Sequence, residues 1–367
     1  MTLIGFVLLY ILVTIGIGVW ASRRVKDTND FALAGRSLPL PMVITATFAT
    51  WFGSETILGL PGRFIESGIA GVIEEPFGSG MALILVGTFF AQKLYRLNIL
   101  TIGDFYRDRY GTGVEMLCSI AIVISYLGWV GAQVTALGLV LNLITEGMIS
   151  VTAGMVIGAV VVLFYTMVGG MWSVAWTDFF QMIIIVAGLV AILFFAADLA
   201  GGMSNVVEYA REKNLFHALP EPTPTGWLFW ISAAMTMMIG SIPQQDVFQR
   251  VMSAKDVRTA VAGPIIGGSV YILFAFVPML IVVAAVLAMP DVSGKLLAED
   301  PQQLLPTLVR DHMPIWLRVI FFGAVLSAVM STASATMLAP STTFVENVLP
   351  HFVKLNPKNM LRTMRVT

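Results

Sequence analysis

Charge is scarce in these 367 residues: Asp, Glu, Lys and Arg together make up 12%, about half the roughly 25% of a soluble domain. Cysteine occurs once, at Cys118, so no internal disulfide is possible. His217, His312 and His351 stand far apart, too scattered for a metal cluster or a histidine proton relay. Neither sign of charge is in excess, with 21 Lys and Arg against 22 Asp and Glu. No loop holds a sustained basic run, which argues against nucleic acid as a partner.

What fills the chain instead is apolar, with 57% hydrophobic residues and a mean hydropathy of +0.86. Nine apolar stretches, about 4–22, 39–61, 69–92, 114–143, 150–170, 178–200, 226–243, 262–289 and 316–346, reach the ~17–25 residues a spanning helix needs. They are apolar all round and do not alternate, so the backbone must satisfy itself within helices, not in a barrel. An all-α polytopic membrane protein is expected, in contact with lipid along most of its length. The first stretch has no basic segment ahead of it, whereas Arg23, Arg24 and Lys26 follow, so it reads as a retained span and not a signal peptide. With loops alternating between two sides, one side takes 15 of the 21 basic residues, Lys354 and Lys358 among them. That bias predicts a multi-pass plasma (inner) membrane protein with its amino terminus outside and the carboxyl end of the chain in the cytoplasm.

The two longer connections, 201–225 and 290–315, are rich in Pro and charge and read as surface helices or caps at the external mouth, or as plain polar linkers. Helix breakers are more informative. Gly53, Gly59, Pro61 and Gly62 interrupt the second stretch; Gly240 and Pro243 interrupt the seventh. Broken helices at matching places in two halves mark the midplane site of inverted-repeat transporters, and this spacing suits a five-helix repeat.

A helix interrupted in hydrocarbon leaves carbonyls without donors, each costing several kcal/mol unless something replaces the bond. In "ATWFGSE" the carbonyls of Ala49 and Phe52 face one point just before Gly53, where a sodium ion could take them; a packing kink with the carbonyls on neighbouring hydroxyls is the competing reading. In "LSAVMSTASATML", Ala328, Ser331 and Thr332 lie at i, i+3 and i+4, so one carbonyl and two hydroxyls share a helix face. Such oxygens suit a hard cation. Equally, membrane Ser and Thr bond back to the preceding turn or glue helices together.

Taken in order, "FALAGRSLPL", "TATFATWFGSETILGLPG", "LTIGDFYRDRYG", "YTMVGGMWSVAWTDFFQ", "IPQQDVFQRVMSAKD" and "LSAVMSTASATML" resemble the sodium:solute symporter family, which includes sodium/proline, sodium/sugar and high-affinity choline transporters. The resemblance implies the leucine-transporter-like inverted-repeat fold. On that pattern residues 1–37 are an extra first helix and cytoplasmic loop, 38–200 the first five-helix repeat and 226–367 part of a second. The family's pattern continues for further core spans, so the second repeat reads as incomplete and the chain as a shortened one. The resemblance also implies Na+ as coupling ion, held by the carbonyls of Ala49, Phe52 and Ala328 and the hydroxyls of Ser331 and Thr332. Asp178 matches an acid on the sodium exit route, and also reads as a helix N-cap after "WT".

For the solute, Glu55 matches a substrate-holding polar position of the sugar members, and Thr56 joins it in the implied substrate set. Its other reading is a structural partner for exposed amides at the break. Trp51 and Trp129 match two rings of the choline transporters' aromatic cage, while Ser79 and Gln244 stand where its other aromatics would be. A half-cage with hydrogen-bonding groups leaves an amino acid, another zwitterion, a quaternary amine or a small polyol as the organic solute. Glu74 and Glu75 read as markers of the lipid boundary or as vestibule acids, and Asp246 and Arg250 as a pair across one helical turn.

The function expected is sodium-coupled import of a small organic solute by alternating access. A proton-coupled transporter of the same fold, using Glu55 or Asp178, is the alternative. An input module of a sensor protein is a third reading, without a catalytic constellation to support an enzyme.

Overall fold

The computed structural model describes residues 2–354 and 356–367, the side chains of Thr2, Pro357 and Lys358 lying outside the described residues. The elements of the described residues are all helical, with no strand among them beyond one isolated bridge between Leu38 and Ala254. Six helices are long and apolar enough to cross a membrane, and the bent pair Pro224–Gly240 and Gln245–Met252, angled by 45°, makes a seventh.

The expected stretches 150–170 and 178–200 fall in one helical element, Val151–Leu199. Forty-nine residues of straight helix would reach ~74 Å at 1.5 Å per residue, more than twice the ~30 Å of a hydrocarbon core. The chain breaks this length at Gly170, where φ is 49° and ψ −141°. A Cβ at Gly170 would run into the carbonyl of Phe31, so both the backbone and the close approach call for glycine there.

The second stretch is divided differently. Pro41 sits in the first turn of the helix Leu40–Trp51, where its missing N–H costs nothing. That helix stops at Phe52, and the chain resumes through a wide turn, Glu55–Gly59, into a second helix, Leu60–Ser67. The two long connections do form helices: Met203–Glu212, Pro290–Glu299 and Leu304–His312. Leu304, Leu305, Leu308 and Val309 are wholly buried, and Pro301 packs on Gly62, so the second connection is seated on the resumed half of the broken helix. Apolar burial of this kind contributes ~25 cal/mol per Å².

Helix Ile315–Thr343 is the spine. It packs along Val151–Leu199 and Thr112–Ile144 and carries most of its residues buried. Beyond its end Asn347 donates to Asp104 (2.9 Å) and Glu115 (2.9 Å) and accepts from Thr101 (2.6 Å), which pins the spine to the capped helix Ile102–Tyr110. At the start of the broken helix, Leu38 exchanges backbone hydrogen bonds with Ser253 (2.9 Å) and Lys255 (3.0 Å). Both broken elements are therefore anchored to each other at one end.

Replacing Gly170 with alanine is expected to lower stability by about 1–3 kcal/mol, the cost of a forced backbone. Thermal unfolding of the purified protein in detergent checks this: a midpoint equal to wild type contradicts the role given to this turn.

Candidate ion and solute site

The helix break strands one carbonyl. In an unbroken helix the N–H of Gly53 would bond the oxygen of Ala49; here it turns to Trp51 instead, at 2.8 Å. Two side chains of the spine take its place: Ser331 Oγ donates to the Ala49 oxygen at 3.2 Å and Thr332 Oγ1 at 3.3 Å. Both are longer than the ~2.7–2.8 Å usual for O–H···O, so the carbonyl is held weakly by partners that are themselves fully buried. Phe52 and Ala328 are also fully buried, Phe52 at the point where the helix ends and Ala328 one turn before Thr332. No hydrogen bond reaches the Phe52 carbonyl among the described residues.

Asp178 joins this cluster. It sits inside the long helix, whose N-cap is Ser150, so the N-cap reading is corrected: no helix begins at Asp178. Its Oδ1 accepts from Ser331 Oγ at 2.5 Å, so the single Ser331 proton is shared between Asp178 and, at the longer distance, Ala49; its Oδ2 is buried with no partner. Gln133, on the helix Thr112–Ile144, is a further member that the sequence did not reveal. Its Oε1 is buried and unpartnered, 3.4 Å from where a Cβ on Gly53 would stand, and Thr332 Oγ1 is 2.8 Å from that same point. Glycine at 53 is what lets the spine approach so closely. Unpartnered buried oxygens of a carboxylate and an amide, beside a stranded carbonyl and two hydroxyls, are the donor set that a hard cation takes.

Trp51 and Glu55, beside the break, line a cavity of about 220 Å³ together with Glu75, Ser79, Trp129, Met237 and Gln244. Five of the six expected substrate residues meet there. The sixth, Thr56, lies behind the wall: its hydroxyl donates to Glu75 Oε1 (2.7 Å), as does Tyr271 Oη (2.5 Å). Glu75 is thus part of the cavity and not a lipid-boundary marker, while Glu74 reaches toward Arg63 at 3.9 Å. The irregular turns over 69–78 fold the acid inward.

Asp246 and Arg250 do not pair through their side chains. Arg250 Nη1 bonds the backbone carbonyl of Asp246 at 3.2 Å, and Arg250 is only 1% exposed, so it is no loop charge. The Asp246 carboxylate instead receives Trp51 Nε1 at 3.2 Å and the hydroxyl of Tyr126. It braces one indole of the cavity, and through Tyr126, whose ring lies 5.9 Å from that of Trp129, it reaches the other. Gln244 sits at the break between the bent helices, as the N-cap residue of Gln245–Met252.

A family model described as "Sodium:solute symporter family" matches residues 31–367. The chain belongs to that family. It is 30% identical over 358 residues to the high-affinity choline transporter 1 of Drosophila melanogaster, an alignment covering 94% of this chain and 56% of the relative. It is 24% identical to the human sodium/iodide cotransporter, covering 97% and 57%. The chain spans 56% to 66% of the length of the choline transporters it matches. Among solved structures, a Na+-coupled sialic acid symporter in a substrate-bound outward-open state superposes with a TM-score of 0.87 at 20% identity, covering 100% of this chain and 78% of that one. The leucine-transporter-like fold is therefore that of a multi-pass membrane protein from a family of transporters, not enzymes.

Trp51→Phe keeps a ring at the cavity wall and removes the donor to Asp246. Leaving a buried carboxylate one hydrogen bond short is expected to cost about 1–3 kcal/mol. A wild-type unfolding midpoint for this variant would contradict the bracing role of Asp246.

Proposed function

We propose that this chain forms the working part of a sodium-coupled symporter that carries a small organic solute across a membrane by alternating access. The observation that carries the reading is the Ala49 carbonyl, freed by the helix break and met only by the long hydrogen bonds of Ser331 and Thr332. On this reading Na+ is held by the carbonyls of Ala49, Phe52 and Ala328 and the hydroxyls of Ser331 and Thr332. Asp178, bonded to Ser331 and with one oxygen to spare, stands on the ion's way out.

Coupling follows from the sequence position of the break. Trp51, Glu55 and Thr56 flank the residues that supply the ion's carbonyls, so binding the ion to the spine fixes the wall of the solute cavity. Residues 38–200 and 226–367 are the halves between which the cavity lies, and their relative rocking opens it to either side. With the amino terminus outside, one charge moving inward gains about 2.3 kcal/mol per 100 mV, and a tenfold sodium gradient adds roughly 1.4. Together they support a several-hundredfold accumulation of solute, by the same factor-of-ten arithmetic. The relatives named for choline put organic cations among the solutes to try, beside amino acids, other zwitterions and polyols.

A second reading, proton coupling, has one observation in its favour. The carboxyl of Asp178 lies within a hydrogen bond of Ser331, so a titrating group does stand at the hydroxyl pair.

Two experiments separate these readings. In proteoliposomes, Ser331→Ala with Thr332→Ala is expected to abolish sodium-stimulated uptake, with loss of more than tenfold; unchanged sodium dependence refutes the ion site. In sodium-free buffer, an inward pH step is expected to drive no uptake. Uptake that follows the pH step and vanishes in Asp178→Asn would establish the proton reading.

A further inference from the structure

The charged side chains of the solute cavity are both acids. Glu55 and Glu75 contribute carboxylates, and Ser79 Oγ and Gln244 Oε1 are buried atoms with no hydrogen-bond partner. Glu75 Oε1 takes the hydroxyls of Thr56 and Tyr271, which fix the carboxylate in place and leave Oε2 without a donor among the described residues. No Lys, Arg or His lines the cavity. Two indoles, Trp51 and Trp129, complete the wall, and indole rings attract cations. At about 220 Å³ the space falls below the ~300–1,000 Å³ of most ligand pockets, which restricts it to a small molecule.

Each ligand class meets this wall differently. An anion would be desolvated against two acids with no cation to answer it. A quaternary ammonium would satisfy the indoles but has no N–H, so Gln244 Oε1 and the free oxygen of Glu75 would be buried without donors. A protonated amine answers both: its charge pairs with the carboxylate, and its N–H groups reach the idle acceptors through charge-assisted bonds. We propose that the solute is a small organic cation bearing N–H donors, a primary or secondary ammonium compound, with Glu75 as the residue that selects it. This rests on the symporter reading only in taking the cavity as the solute site.

The test is a thermal-shift titration of the full chain in lipid nanodiscs, with and without sodium, using ethanolamine, choline, glycine and glycerol. These probes share a small size and differ in N-methylation, in a carboxylate and in charge. Ethanolamine is expected to bind at least roughly tenfold more tightly than the other three, as the loss of one charged hydrogen bond implies. Glu75→Gln is expected to remove that preference. Should it fail to fold, Ser79→Ala is expected to weaken ethanolamine while leaving the unliganded midpoint in place. Choline, glycine or glycerol binding as well as ethanolamine overturns the amine assignment, as does a preference that survives in both variants. The two readings fail separately: amine preference without any sodium effect overturns symport and leaves this assignment, whereas sodium-stimulated binding of choline or glycine does the reverse.

Discussion

One contact holds the architecture to its purpose: the stranded carbonyl of Ala49 against the hydroxyls of Ser331 and Thr332. A peptide oxygen released inside an apolar bundle costs several kcal/mol unless something answers it, and the spine helix supplies the answer from a position more than 280 residues away in sequence. Everything near the site serves that approach. Gly53 removes the side chain that would stand between the two elements, and Gln133 and Asp178 bring further oxygens from two other helices. A net hydrogen bond is worth only about 0.5–1.5 kcal/mol, so this tie is strong enough to define a position and weak enough to be replaced.

The same break shapes the cavity. Trp51 and Glu55, on either side of the interruption, both line the cavity. The second break contributes through Asp246 and Gln244: the first braces Trp51, the second lines the cavity. Ion site and solute cavity thus both draw on the first interrupted helix, which is anchored to the second through Leu38 and Ser253.

Part of this was legible in the amino-acid sequence, and the division has a physical cause. Local signals survive in a linear reading: an apolar stretch broken by glycine, or two hydroxyls three and four residues after Ala328, give Ala49, Ser331 and Thr332 without any partner being known. The family resemblance adds Trp51, Trp129, Ser79 and Gln244, which the fold gathers around one cavity. Long-range partners leave no such trace. Glu75 looks like a boundary acid until the irregular turns at 69–78 fold it toward Tyr271, and Asp246 seems paired with Arg250 until Trp51 and Tyr126 claim its carboxylate. Gln133 is one polar residue in a long apolar helix and becomes informative only when Gly53 is seen beside it. Even the number of spans depends on such a point, since only the backbone at Gly170 divides the longest helix.

The central claim, that an alkali cation displaces two hydroxyls from a stranded peptide oxygen, is tested most directly by high-resolution density for the protein in saturating sodium and again with sodium replaced by a large organic cation. The account predicts a sodium-dependent peak bounded by the Ala49, Phe52 and Ala328 carbonyls and the Ser331 and Thr332 hydroxyls, with the hydroxyls turned from Ala49 toward the ion. Identical density in both conditions, with Ser331 and Thr332 still donating to Ala49, would contradict it.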